Sequence, residues 1–246
     1  MMGPRGGGWA AEYSRGEEGS DSVQRVLALL YDVHGNLPAL EAVLEDASGA
    51  DGYLLGGDYA TFGAWPRETI ARLRDLDADW IRGNVDRWLV DDSDAPDAML
   101  PLIERSREMI GEELCAELAG LPAATTRGRT LYCHASPLSD MDSFYPEPHD
   151  TDAERLMGVE AERVVFGHTH LAFQRQGPAG IHLVNPGSVG MPLDGNHRAA
   201  FALVHDDGRV EQRRVEYDWR ASVAAVREQV GDLPADRIEQ ARFDVA

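Results

Sequence analysis

Between residues 26 and 84 the chain alternates short apolar runs with segments of helical period, and this alternation limits the fold more than any other feature. VLALLYD (26–32) is a continuous apolar run ending in an acid and reads as a buried strand. DGYLLGGD (51–58) and ADWIRGN (78–84) read as two further short strands. NLPALEAVLEDA lies between the first pair and sets Leu37, Leu40, Val43, Leu44 and Ala47 along one helical face. Asn36 is placed to cap that helix, and Pro38 is tolerated in its first turn. WPRETIARLRDL lies between the second pair, with Pro66 near its start and Ile70, Leu73 and Leu76 on one face. The order β-α-β-α-β predicts a mostly parallel sheet.

Residues 97–119 are expected to be helical, with Met99, Leu102, Ile103, Met109, Ile110 and Leu114 as apolar positions among many charges. The character then changes. AATTRGRTLYCH predicts a hairpin around Arg127–Gly128, and SPLSDMDSFYPEPHD a long polar loop. RVVFGH, AFQRQ, IHLVN, RAAFALVH and RVEQRRVEY read as short strands separated by turn residues such as GPAG and DDG. WRASVAAVREQVG and PADRIEQARF read as helices. A parallel half followed by an antiparallel half predicts two sheets packed together with helices outside. Residues 1–24 are rich in Gly, Ser and charge and lack the apolar stretch of a secretory signal, so they are expected to be a flexible extension. Residues 25–246 are expected to form a single domain, long enough to bury a sizeable core.

The chemistry gathers at the strand ends. DVHGN supplies Asp32 and His34, GGD supplies Asp58, and GNVD supplies Asn84 and Asp86. CHASP supplies His134, and GHTH supplies His168 and His170. In open α/β sheets the loops at the carboxyl ends of strands form the ligand crevice, so residues far apart in sequence can converge there. A lone H-x-H reads more readily as the polar end of a surface strand than as a metal clamp; the ordered set carries the weight. Carboxylates, an amide oxygen and neutral imidazoles form a mixed O/N donor set that suits Mn, Fe, Zn, Co or Ni. Seven donors are too many for one tetrahedral zinc and fit two metals that share a bridging carboxylate.

The formal net charge is −20. Such a chain repels nucleic-acid backbones and anionic membranes, which argues against sequence-independent nucleic-acid binding. It also needs a strong local cation before it can receive an anionic phosphoryl group. The two cysteines, Cys115 and Cys133, make no disulfide framework, and no apolar run is long enough to span a membrane. These features predict a cytoplasmic protein with no membrane partner. They do not decide whether it assembles as a homo-oligomer.

In order, D-x-H, G-D, G-N-x-D, H and G-H-x-H resemble the calcineurin-like metallophosphoesterase superfamily. The start DVHGN, together with NPGSVG (185–190) after the last histidines, resembles its small bacterial and archaeal phosphodiesterase-like branch. The resemblance covers about residues 26–206 and implies a four-layer αββα sandwich of two mixed sheets flanked by helices. It implies two divalent metal ions, manganese favoured, with Asp32, His34 and His170 on one and Asn84, His134 and His168 on the other. Asp58 would bridge them, and Asp58, Asn84 and His134 would act in catalysis. The implied activity is hydrolysis of a small phosphate ester, a phosphodiester or an activated phosphomonoester, by attack of a metal-bridging hydroxide. A phosphoprotein or small-molecule phosphomonoesterase on the same scaffold is the alternative, as is a metal-binding interaction platform that has lost catalysis.

Two positions depart from the pattern. Many members carry a histidine where Val85 stands, and it protonates the leaving group. Valine has no proton to give, and general-acid help is worth about 10²–10⁴-fold, so poor leaving groups such as alkyl alcohols should suffer most. Relatives often carry an arginine near Leu193; here Arg198 is the candidate for gripping phosphate. Other residues receive plainer readings. Asp86 is expected at a helix N-terminus in a supporting role, and Cys133 as a small core residue. His182 and His205 are expected within strands, and His149 and His197 in loops. Phe62, Trp65 and Tyr145 are expected to line a pocket or to pack at its rim. Asn185, Pro186, Gly187 and Ser188 are expected to form a turn beneath the site.

Overall fold

The computed structural model describes residues 25–242, so the expected N-terminal extension lies outside the described residues. The first half follows the alternation in the sequence: β1 (Val26–Leu30), α1 (Leu37–Asp46), β2 (Gly52–Leu55), α2 (Pro66–Arg74), β3 (Ala78–Trp80) and the one-turn α3 (Asn84–Trp88). Asn36 caps α1, its side chain accepting the Ala39 N–H at 3.4 Å. Pro66 opens α2, where a missing N–H costs nothing. Next come α4 (Leu100–Ile110), α5 (Glu112–Ala119), β4 (Ala124–Arg127), β5 (Thr130–Cys133) and α6 (Asp152–Arg155). The chain continues through β6 (Arg163–Val165), β7 (Phe173–Gln176), β8 (His182–Asn185), β9 (Ala199–His205) and β10 (Val210–Val215) to α7 (Trp219–Gln229) and α8 (Asp232–Gln240).

Two five-stranded sheets result, ordered β10-β9-β1-β2-β3 and β4-β5-β6-β8-β7. Leu29 of β1 sits beside Leu54 of parallel β2 on one side and Ala202 of antiparallel β9 on the other. The inner faces meet through Leu29, Tyr31, Leu54, Ile81 and Ala202 from the first sheet and Tyr132, Val165 and Val184 from the second. Outside the first sheet, Leu40, Val43 and Leu44 of α1 and Ile70 and Leu73 of α2 bury its other face. Outside the second sheet, Phe144, Leu156 and Phe166 close the layer. Two mixed sheets flanked by helices thus form an α/β sandwich. Among the described residues no helix is long and apolar enough to cross a membrane.

One expectation is corrected. The antiparallel half does not form a sheet of its own: β9 and β10 return to the first sheet, and β5, β6 and β8 run parallel in the second. The AAFAL stretch of β9 is buried throughout, and a strand apolar on both faces fits only a covered, central position. Residues 97–119 are helical, as expected. They form a 3₁₀ turn followed by α4 and α5, which break at Gly111, where φ is +84° and a side chain would be strained.

Candidate metal centre

Beyond its last paired residue, β1 keeps hydrogen bonding to the loop after β2. Asp32 N–H donates to Gly57 O, His34 N–H to Asp58 O and Gly35 N–H to Tyr59 O, at 3.1, 2.9 and 2.8 Å. Both loops are thereby held in register, and the side chains of Asp32, His34 and Asp58 converge. Asp32, His34, Asp58, His168 and His170 all adopt left-handed backbone, with φ of 55°, 48°, 59°, 66° and 58°. Asp and His tolerate this region better than most residues, yet a non-glycine held there costs about 1–3 kcal/mol and persists only where the surroundings enforce it.

All seven sequence-derived candidates, Asp32, His34, Asp58, Asn84, His134, His168 and His170, come together. His34 Nε2 and His170 Nε2 are 3.1 Å apart, and Asp32 Oδ1 lies 3.5 Å from His170 Nε2. Asn84 Oδ1 is 2.9 Å from both His134 Nε2 and His168 Nδ1. Asp58 Oδ2 lies 3.3 Å from His134 Nε2 and 4.0 Å from His34 Nε2. Asp32 Oδ1 also reaches to 3.9 Å from His134 Nε2, so both carboxylates span the junction of the two halves. Asp32, His34 and His170 form one compact triplet of donor atoms, and Asp32, Asp58 and His134 another.

Backbone carbonyls fix the tautomers. His34 Nδ1 donates to Thr61 O at 3.1 Å, His134 Nδ1 to Gly56 O at 2.8 Å and His170 Nδ1 to Met191 O at 2.6 Å. A carbonyl only accepts, so Nδ1 carries a proton in each ring and Nε2 points inward, with a free lone pair wherever the ring is neutral. His34 Nε2 and His170 Nε2 therefore face each other, and His134 Nε2 faces two oxygens. Among the described residues, Asp32 Oδ1 is buried with no hydrogen-bond partner. Buried acceptors crowded against acceptors are costly unless a cation lies among them. The donor set fits divalent metal.

The electrostatics agree. Burial and the neighbouring His170 push His34 down to about 4, and burial and His134 push His168 down to about 4. His134 goes the other way: burial opposes its charge, but Asp58 outweighs burial and lifts it to about 10. Burial would raise Asp58 and Asp32, yet His134 and His170 respectively hold them below the usual carboxylate range. Two buried carboxylates thus stay ionised and draw positive charge inward.

A supporting layer fixes the set. The Asp86 carboxylate accepts the N–H groups of Asp58, Tyr59 and Gly83 at 2.7, 3.1 and 2.9 Å, tying the end of β2 to the start of α3. The NPGS turn lies beneath, as expected. Ser188 Oγ donates to Asp32 O at 2.7 Å, and Asn185 Nδ2 to Gly167 O at 2.9 Å. Asn36 exceeds its capping role: it is buried, donates to Gly190 O at 2.7 Å and accepts the Ser222 hydroxyl at 3.0 Å. Phe62 stacks on His34 with ring centres 5.3 Å apart. Cys133 is buried in the outer layer of the second sheet.

Other candidates stay away. Arg198 is corrected: it stands exposed before β9, its guanidinium on Asn196 (3.2 Å) and Glu216 (3.8 Å) and not on the cluster. Tyr145 is 50% exposed and meets Arg175 through its carbonyl, and Trp65 packs at the rim of an apolar cluster. His149 bonds Thr151, His197 stacks on Trp219, and His205 pairs with Glu211 across the hairpin. His182 starts β8, its imidazole held down by burial and Arg163. The carbonyls of Gly56, Thr61 and Met191 were missed from the sequence. Any residue offers a carbonyl, so no side-chain signal could reveal them.

The family model described as the calcineurin-like phosphoesterase superfamily domain matches residues 26–209. An uncharacterized protein of Methanocaldococcus jannaschii is 29% identical over 222 residues, covering 80% of this chain and 89% of the relative. The crystal structure of a metallophosphoesterase from Sphaerobacter thermophilus is 26% identical with a TM-score of 0.76, covering 89% of this chain and 99% of its own. A hypothetical protein from Pyrococcus horikoshii shares the fold at 22% identity and a TM-score of 0.74, covering 87% and 96% of the two chains. With the motif order, the two-sheet sandwich and the family match in agreement, this chain belongs to the calcineurin-like phosphoesterase superfamily.

Proposed function

We propose that the chain is a two-metal phosphoesterase acting on small phosphodiesters or on phosphomonoesters with good leaving groups. The observation that carries this reading is the buried crowd of ligand atoms: three histidines with Nδ1 tied to carbonyls so that Nε2 points inward, beside two carboxylates held ionised. Asp32, His34 and His170 would hold one ion, Asn84, His134 and His168 the other, and Asp58 would touch both. Bound there, two divalent ions, manganese favoured for a mixed O/N set, supply Lewis acidity to the phosphoryl oxygens and the positive charge this protein lacks.

The protein's own groups then set the substrate class. Val85 is 3% exposed and packs with Phe62 and Met191, so that position offers no proton to a leaving oxygen. Asp86 does not replace the missing acid, because its oxygens are taken up by three backbone N–H groups. Aryl and other weakly basic leaving groups depart without such help. Alkyl alcohols need it.

The test is hydrolysis of bis-p-nitrophenyl phosphate beside p-nitrophenyl phosphate by metal-stripped protein reloaded with Mn²⁺. Turnover is expected to favour the diester. Asp58→Asn is expected to lower kcat by about 10²–10³-fold, the scale of losing one electrostatic contact to a reacting centre, with circular dichroism unchanged. Two bound ions with no turnover of either ester would sink the proposal.

A further inference from the structure

The ligands of the centre rest on several supports. Asp32 is held from below by the Ser188 hydroxyl of the NPGS turn, His170 by the Met191 carbonyl just beyond it, and His34 by the Thr61 carbonyl. Asn84 and His134 lie on two short segments, the one-turn α3 and the loop that follows β5. From α3, the side chain of Arg87 reaches across to the second segment. Its Nε and Nη2 donate to the two oxygens of Asp140 at 2.7 and 3.1 Å. Its Nη1 and Nη2 donate to the two oxygens of Asp94 at 2.8 and 3.0 Å. Asp94 also accepts the indole N–H of Trp88 at 2.8 Å.

Asp140 belongs to a stiff turn. Ser136 and Ser139 exchange backbone hydrogen bonds at 2.9 and 3.3 Å, and the Ser139 hydroxyl accepts the N–H groups of Met141 and Asp142. The far end of α3 is fixed as well, because Arg107 donates to Trp88 O at 2.7 Å and to Leu89 O at 3.0 Å. Arg87 and Asp140 are 20% and 21% exposed, so this pair is less screened than an open surface bridge. A planar guanidinium can serve two carboxylates with two forks, which an ammonium cannot.

The geometry points to Arg87 as a positioning residue: its fork to Asp140 sets the separation of Asn84 and His134. It thereby tunes the metal position made by Asn84, His134 and His168 while leaving the other alone. The inference rests on the two-metal reading above. Residues that orient ligands from behind are typically worth about 10–100-fold in metal affinity.

The experiment titrates Mn²⁺ alone into metal-stripped protein and reads both affinities by calorimetry. The proteins are the parent, Arg87→Ala, Arg87→Lys, Asp140→Asn, the Arg87→Ala/Asp140→Asn double variant, and Arg74→Ala as a control whose partner Glu117 lies on α5. Arg87→Ala and Asp140→Asn are each expected to weaken one site by about 10–100-fold and leave the other within about twofold. Arg87→Lys should recover only part of the loss. The double variant should be no worse than either single change, since both cut one contact. Arg74→Ala should bind as the parent does. Unchanged affinities in Arg87→Ala would overturn the inference, and so would equal weakening of both sites with a fallen Tm. A parent chain that binds fewer than two Mn²⁺ would overturn the two-metal reading itself, and this inference with it.

Discussion

At the residue scale, five of the seven candidate ligands stand at positive φ, and this strain says something the side-chain identities do not. The hydrogen bonds around the cluster force the backbone into a conformation it would otherwise leave, as in sites built for geometry before stability. His168 at φ +66° is the cleanest place to test this, being the least buried member. Glycine at that position carries no Cβ and relaxes, whereas alanine keeps the strain and loses the imidazole alike. Metal-stripped His168→Gly is therefore expected to be more stable than His168→Ala by about 1 kcal/mol in urea unfolding, after glycine's entropy cost is counted. Equal stabilities would mean that the backbone there is unstrained. The seven side chains were legible in the sequence because each carries chemistry and closes a predicted strand. The strain was not legible, because it arises from contacts between loops more than a hundred residues apart, such as His168 N–H on Asp32.

At the scale of elements, the β-α-β-α-β half was readable because helix and strand periods are local. The destination of β9 and β10 was not, because pairing depends on which sheet still has an uncovered edge. The break between α4 and α5 did carry a signal, Gly111 within an otherwise helical stretch. The β3–α3 junction makes the sharpest demand. A Cβ added to Gly83 would lie 2.1 Å from Asp58 Oδ1 and 2.7 Å from Asp58 N, closer than real atoms approach. Neither neighbour can yield freely: Asp58 N–H is held by Asp86, and Val85 N–H holds Asp58 Oδ1 at 3.0 Å. Gly83→Ala is thus expected to displace Asp58, costing about 10-fold or more in Mn²⁺ affinity and turnover, while the sheets fold normally by circular dichroism. Full metal affinity in that variant would show that the junction gives way at little cost.

For the whole molecule, the formal charge of −20 sets how an anionic ester arrives. Two divalent ions would raise that charge by four and leave it strongly negative, so the loaded centre is a local well inside a repulsive field. The well acts at contact distance, and the field acts over the Debye length, about 30 Å at 0.01 M salt and about 8 Å at 0.15 M. Added salt should therefore screen the long-range repulsion more than the short-range attraction of a buried centre. With Mn²⁺ held fixed, kcat/KM for bis-p-nitrophenyl phosphate is expected to rise a few-fold between those two NaCl concentrations, mostly through KM. The chemical step happens among buried groups that salt hardly reaches, so kcat should stay level. A fall in kcat/KM over the same range would reverse the argument. It would mean that the positive potential of the loaded centre extends into solvent and steers the substrate in, despite the acidic surface around it.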